Sequence, residues 1–149
     1  MTNRSCSAKS RAEETARVGL LFLDGDALEG VLLDPYGPTD YHFENFNKLK
    51  KVLMTMEEID PGLDVSFFLW QKRPDNPDAA VAVVCGRTLP PEGWQKLKPN
   101  PALARALRGE KTEFAREKGY SLYFPVLNSD GEQAGALELL CESGFFQDI

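Results

Sequence analysis

The residues able to do chemistry are few in this chain and lie far apart. Asp24 and Asp26 follow the apolar run Leu21-Phe22-Leu23 with only Gly25 between them. A carboxylate pair at that spacing offers one group to attack an electrophile and a second to handle the leaving group's proton. The same Asp-Gly-Asp pattern is also turn chemistry, because Asp bonds its own backbone and Gly tolerates unusual dihedrals; the turn is the preferred reading. His42 is the sole histidine, so a Ser-His-Asp or Cys-His system would have no other imidazole base. It stands between Tyr41 and Phe43 near an expected helix start, with no serine or cysteine motif beside it. It reads as a surface or helix-face histidine.

Cys6, Cys85 and Cys141 are too few and too spread for a disulfide framework. Without a Cys-x-x-Cys pair, neither zinc nor an attached haem has support. Cys85 and Cys141 sit in apolar runs, where cysteine serves as a small buried hydrophobe. A transition-metal site would fall to carboxylates, whose spacing is not distinctive. No glycine-rich phosphate loop is present. The chain is therefore assigned no catalytic residue, no metal and no cofactor, and reads as a non-enzyme.

Composition sets the frame for these residues. A chain of 149 residues, 42% hydrophobic and 27% charged, has the size of one domain and the makings of a core. No stretch approaches the ~20 apolar residues of a spanning helix. Lys and Arg number 17 against 23 Asp and Glu, and phosphate backbones reward the opposite balance, so nucleic acid is not an expected partner. Trp70-Gln71-Lys72-Arg73 mixes aromatic and basic residues, but the overall acidity weighs against single-strand binding. Arg4, Lys9, Arg11 and Arg17 outnumber Glu13 and Glu14 near the start; a solvated, frayed lead is preferred to a basic docking arm. Val18–Leu23 is shorter than a signal h-region and lacks an Ala-x-Ala site after it. The chain as it stands reads as cytoplasmic; as a piece of a membrane receptor it would be an extracytoplasmic sensor region.

Residues 1–17 form a polar, helix-compatible lead. Val18–Leu33 fits a helical stripe through Leu20, Leu23, Ala27, Leu28, Val31 and Leu32, or two short strands around Gly25, with a slight lean to helix. After the Pro35–Pro38 break, Thr39 or Asp40 would cap a helix to about Glu58. Its apolar stripe is Phe43, Phe46, Leu49, Leu53 and Met56. Leu63–Arg73 alternates as a strand, with Val65, Phe67 and Leu69 on one face and Ser66, Phe68 and Trp70 on the other. It forms a hairpin with Ala79–Arg87. A Pro-rich stretch then leads to a short helix with Asn100 as N-cap, Pro101 in its first turn and Gly109 past its end. Lys111–Glu117, Tyr120–Leu127 and Glu132–Leu140 complete a meander, the first a charged edge and the last two joined by Asn128–Gly131. The order implies an α+β fold: a five-stranded antiparallel sheet with the N-terminal helices packed on one side.

Within Ala102–Leu139 the chain carries Ala106-Leu107-Arg108-Gly109, then Tyr123-Phe124-Pro125-Val126-Leu127, Asn128-Ser129-Asp130-Gly131 and Gly135-Ala136-Leu137-Glu138-Leu139. This resembles the second half of a Cache domain, the PAS-like sensor module of bacterial receptors. The layout is compatible over about Thr39–Leu140. Two departures stand out: the flanking membrane helices usual in that family are not present, and the amino-acid-binding signature is not recognisable. The resemblance implies a non-catalytic module that binds a small organic ligand between its sheet and the 89–109 insert. Phe68, Trp70, Trp94, Arg116 and Tyr123 would line that pocket, with Arg116 suited to a ligand carboxylate because its planar fork donates two bonds. Binding would shift helix packing or a homodimer, and a separate signalling output protein would read the change.

Two other readings stand beside this one. A ligand-free protein-interaction module on the same scaffold would have Phe68, Trp70 and Tyr123 packed solid rather than lining an open pocket. Leu21-Phe22-Leu23-Asp24-Gly25-Asp26 also resembles the start of haloacid dehalogenase-type phosphatases, in which the first aspartate attacks phosphate. Those enzymes need a later Ser or Thr, a Lys and an acidic pair on a parallel sheet, and the distal half here reads antiparallel.

Overall fold

A computed structural model of the chain describes residues 9–34, 37–39, 44–59, 65–87 and 97–142. The first helix, α1, runs Lys9–Leu20 and buries Ala12, Ala16 and Gly19, one small residue per turn. That stripe lets a neighbouring helix approach closely: a Cβ on Gly19 would meet the Met56 sulfur at 2.3 Å. Helix α1 ends in a turn at Leu21 and Phe22, and Asp24 then caps a second short helix, α2 (Gly25–Glu29). Strand β1 (Leu32–Asp34) pairs antiparallel with β2 (Gly37–Thr39). The Val18–Leu33 stretch is thus neither one helix nor a strand pair. A helix end, a capped helical turn and a strand share it, because the Asp24 carboxylate gives the freed amides of Asp26 and Ala27 a partner.

Helix α3 (Glu44–Ile59) buries Leu49, Leu53 and Met56 as its spacing requires. Thr39 lies in β2 rather than at a cap, while Asp40, His42 and Phe43 lie outside the described residues. Strands β3 (Ser66–Arg73) and β4 (Asn76–Cys85) form the hairpin, and α4 (Pro101–Ala106) starts at the Asn100 cap. Strands β5 (Thr112–Arg116), β6 (Gly119–Leu127) and β7 (Gln133–Glu142) form the meander. The five strands order as β4-β3-β7-β6-β5, every neighbouring pair antiparallel, with charged β5 at an edge. The fold is α+β.

The sheet is covered on both faces. Helices α1 to α3 lie against one, where Leu28, Leu49, Leu53 and Met56 pack with Phe67, Leu69, Leu122, Leu137 and Leu139. Helix α4 lies against the other, where Leu103 and Leu107 pack with Trp70, Tyr123 and Ala136. Gly135 lets β7 come close to β3, since a Cβ there would sit 1.9 Å from the Trp70 carbonyl oxygen.

Cysteine chemistry departs in one respect from its sequence reading. Cys85 is free and buried, but Cys141, also buried, is disulfide-bonded to a partner outside the described residues. Whether two thiols meet is set by the folded path of the chain, which sequence spacing does not reveal. Among the described residues, no helix is long and apolar enough to cross a membrane.

Candidate functional site

Strand alternation gives the insert-facing side of the sheet its chemistry. On β7 the residues facing α1 to α3 are Leu137 and Leu139, so Glu138 between them must face the other way. The register sets Glu138 opposite Phe68 on one side and Tyr123 on the other. Trp70 follows two residues after Phe68 and shares its face, and Ser121 stands in the same relation to Tyr123. Arg116 reaches in from the end of edge strand β5. The structure therefore brings Phe68, Trp70, Arg116 and Tyr123 to one face of the sheet. Trp94 lies outside the described residues.

The centre of this group is a residue that the sequence reading missed. Glu138 has 0% exposure, and a buried carboxylate is costly unless donors replace its water. The Trp70 indole N–H donates to its Oε1 at 2.8 Å. The Ser121 hydroxyl donates to Oε2 at 2.6 Å, and Arg116 Nη2 donates to the same oxygen at 3.2 Å. Arg116 Nε also donates to Ser121 Oγ at 2.6 Å, so the guanidinium holds the carboxylate and its hydroxyl donor together. The fork expected to receive a ligand carboxylate is thus engaged by one from this chain. Burial, then the nearby Glu138 charge, pushes the Tyr123 hydroxyl well above the usual phenol range and keeps it neutral.

The insert is tied into this cluster through Asn100. Its Oδ1 accepts from the Leu103 amide at 3.0 Å, the capping bond, while its Nδ2 donates to the Tyr123 hydroxyl at 2.8 Å. The Thr112 hydroxyl donates to the Ala102 carbonyl at 2.6 Å and fastens α4 to β5. Sequence gave Asn100 its cap and no more. The signal for Glu138 was present, as a single charge inside the apolar run Ala134–Cys141. Ser121 carries no comparable mark.

Phe68, Trp70 and Tyr123 are buried to within 1% of full enclosure. This side of the sheet is closed by the chain itself, with α4 above it.

The aspartate pair is spent on architecture. Asp24 caps α2 through Oδ1 and accepts from the Lys48 ammonium at 2.6 Å through Oδ2. The Lys48 bond, followed by the capping amides, holds its carboxyl below the usual range. Asp26 Oδ1 accepts from the Ser129 amide at 3.0 Å, joining α2 to the β6–β7 turn. Among the described residues, no cluster of three or more His, Cys, Asp and Glu side chains is arranged to hold a metal ion.

Comparisons of the chain with protein-family models, with curated proteins and with solved structures find no match. The class defined by its own coordinates is an α+β domain with a buried, carboxylate-centred polar cluster beneath a helical insert.

Proposed function

We propose that this chain is a non-catalytic, PAS-like sensor domain in which the insert-facing side of the sheet is the ligand seat. The supporting observation is the Glu138 cluster. A sheet face needed only for packing is served mainly by apolar residues, as its helical side is apart from Gln71, whose amide donates to the Leu28 and Val31 carbonyls. Here a charged group, Glu138, and Ser121, Arg116, Trp70 and Tyr123 converge under a segment bonded to them through Asn100. Buried charge is weak as a source of stability, and a role in a switch is among its best-attested uses. Opening of the insert breaks the Asn100–Tyr123 bond and uncovers the cluster. A ligand that binds the opened form then shifts the balance between two packings, which the helices pass to a homodimer or to a separate output protein.

The second reading, a ligand-free interaction module on the same scaffold, is favoured by the full burial of Phe68, Trp70 and Tyr123. A thermal-shift screen with amines, organic acids, amino acids, purines and phosphate esters separates the two. A ligand at ~100 times its dissociation constant adds ~2.7 kcal/mol, or roughly 5–10 °C in a domain of this size. A shift confined to one chemical class and lost in Trp70→Phe, whose fold is checked by circular dichroism, supports the sensor. A flat response to every class, with α4 as resistant to opening as the sheet core, overturns it in favour of the interaction module.

A further inference from the structure

Within the cluster, the anion and its cation are held very differently. Glu138 and its neutral donors Trp70 and Ser121 belong to the three inner strands β7, β3 and β6. Arg116 comes from β5, an edge strand of 5 residues and the shortest of the sheet. Its side chain retains 19% exposure, whereas that of Glu138 retains none. The Nη2–Oε2 distance of 3.2 Å is longer than the ~2.7–2.9 Å usual for such charged bonds. The carboxylate is thus fixed in the core, and its counter-charge enters from the surface on the shortest strand, at an edge of the sheet.

We infer that Arg116 occupies a cation seat, and that the ligand of this face is a small organic cation, a primary amine or a guanidine, whose head group replaces the Arg116 guanidinium beside Glu138. This rests on reading the insert-facing side as a ligand seat, and it changes the ligand from carboxylate to cation. An anionic ligand would meet the like charge of Glu138. A cation meets that carboxylate, the Ser121 oxygen and the aromatic residues of the same face, and aromatic rings attract cations. Arg116 is then an internal competitor: displaced, it swings into the water it already partly touches. The exchange also passes the Ser121 Oγ contact from Arg116 to the ligand, so binding is felt in β6, on which Tyr123 holds the insert's cap.

The Trp70 indole N–H bonded to Glu138 is a built-in reporter. The chain has two indoles, Trp70 and Trp94. The Trp70 Nε1–H resonance is the one that Trp94→Phe does not remove. Once so assigned, it can be followed by NMR with Trp94 in place during titration with ethylguanidinium, with N-ethylurea as neutral and propionate as anionic control. The expected result is a saturable shift with ethylguanidinium alone, at a tenfold or lower concentration in Arg116→Ala, where the competitor is gone, and its loss in Glu138→Gln. Should Arg116→Ala not fold, the comparison of Glu138→Gln with its Arg116-containing parent decides. Equal shifts with all three probes, or unchanged ethylguanidinium binding in Glu138→Gln, overturn the cation seat. Saturation by propionate or N-ethylurea alone removes the cation inference and leaves the ligand-seat reading standing. No movement of the indole with any probe in any variant removes both.

Discussion

The two sides of the sheet are built from the same strands by opposite means. On the helical side Phe67, Leu69, Leu137 and Leu139 meet Leu28, Leu49, Leu53 and Met56. Cohesion there is mainly burial of apolar area, which needs no exact partner, with Gln71 and Glu57 supplying the few polar contacts. On the insert side Phe68, Trp70 and Tyr123 share a face with Glu138, a charge satisfied only while particular donors stay in place. The first arrangement tolerates small shifts and holds the fold. The second depends on geometry and on a helix of 6 residues, so it is the side that can change state without loss of the domain.

That contrast can be broken most forcefully from the helical side. Phe67→Ala is expected to cost about 3–5 kcal/mol of global stability, read by urea denaturation, because it leaves a cavity in the apolar core. Arg116→Met comes next. It strands the Glu138 charge, and since Arg116 is partly exposed the loss should fall at or below the ~3 kcal/mol end of the range for broken buried pairs. Adding Glu138→Gln to it should return most of that loss; failure to recover would mean that Arg116 acts by packing alone. Asn100→Ala should cost about 1 kcal/mol through the lost cap. Its signature is faster exchange of the α4 amides with no change in α3.

A pH effect belongs to the helical side. Glu57 of α3 accepts from the Phe67 amide at 2.8 Å, and burial pushes its carboxyl up to about 7 from 4.5. Between those values the unfolded chain has lost the proton that the folded chain keeps, so stability falls as pH rises through this window and is lowest above it. Glu57→Gln should therefore leave the melting temperature near pH 4.5 almost unchanged and raise it by a few degrees at pH 8. An unaltered pH profile would place the titration elsewhere.

Much of the scaffold was legible in the sequence because it is written locally. The alternation of Val65–Trp70, the Leu49–Leu53–Met56 stripe, the Asn100-Pro101 start and the Asn128–Gly131 turn each need only near neighbours. The break after Leu20 was harder to read, since it depends on Asp24 acting as a cap while Lys48 from another helix holds its second oxygen. The cluster was half legible. Trp70, Arg116 and Tyr123 were chosen for their chemistry, yet Glu138, which joins them, has partners up to 68 positions away. Only the strand order brings those partners together.

The most direct test compares hydrogen exchange of the α4 and β5 amides with that of α3 and β3 as urea is raised below the unfolding transition. The account predicts that α4 and β5 exchange through an opening of lower free energy and weaker urea dependence than global unfolding, while α3 and β3 exchange only with the whole domain. If all four segments share one free energy and one urea slope, the insert does not open independently, and the insert-facing side is a core like the other.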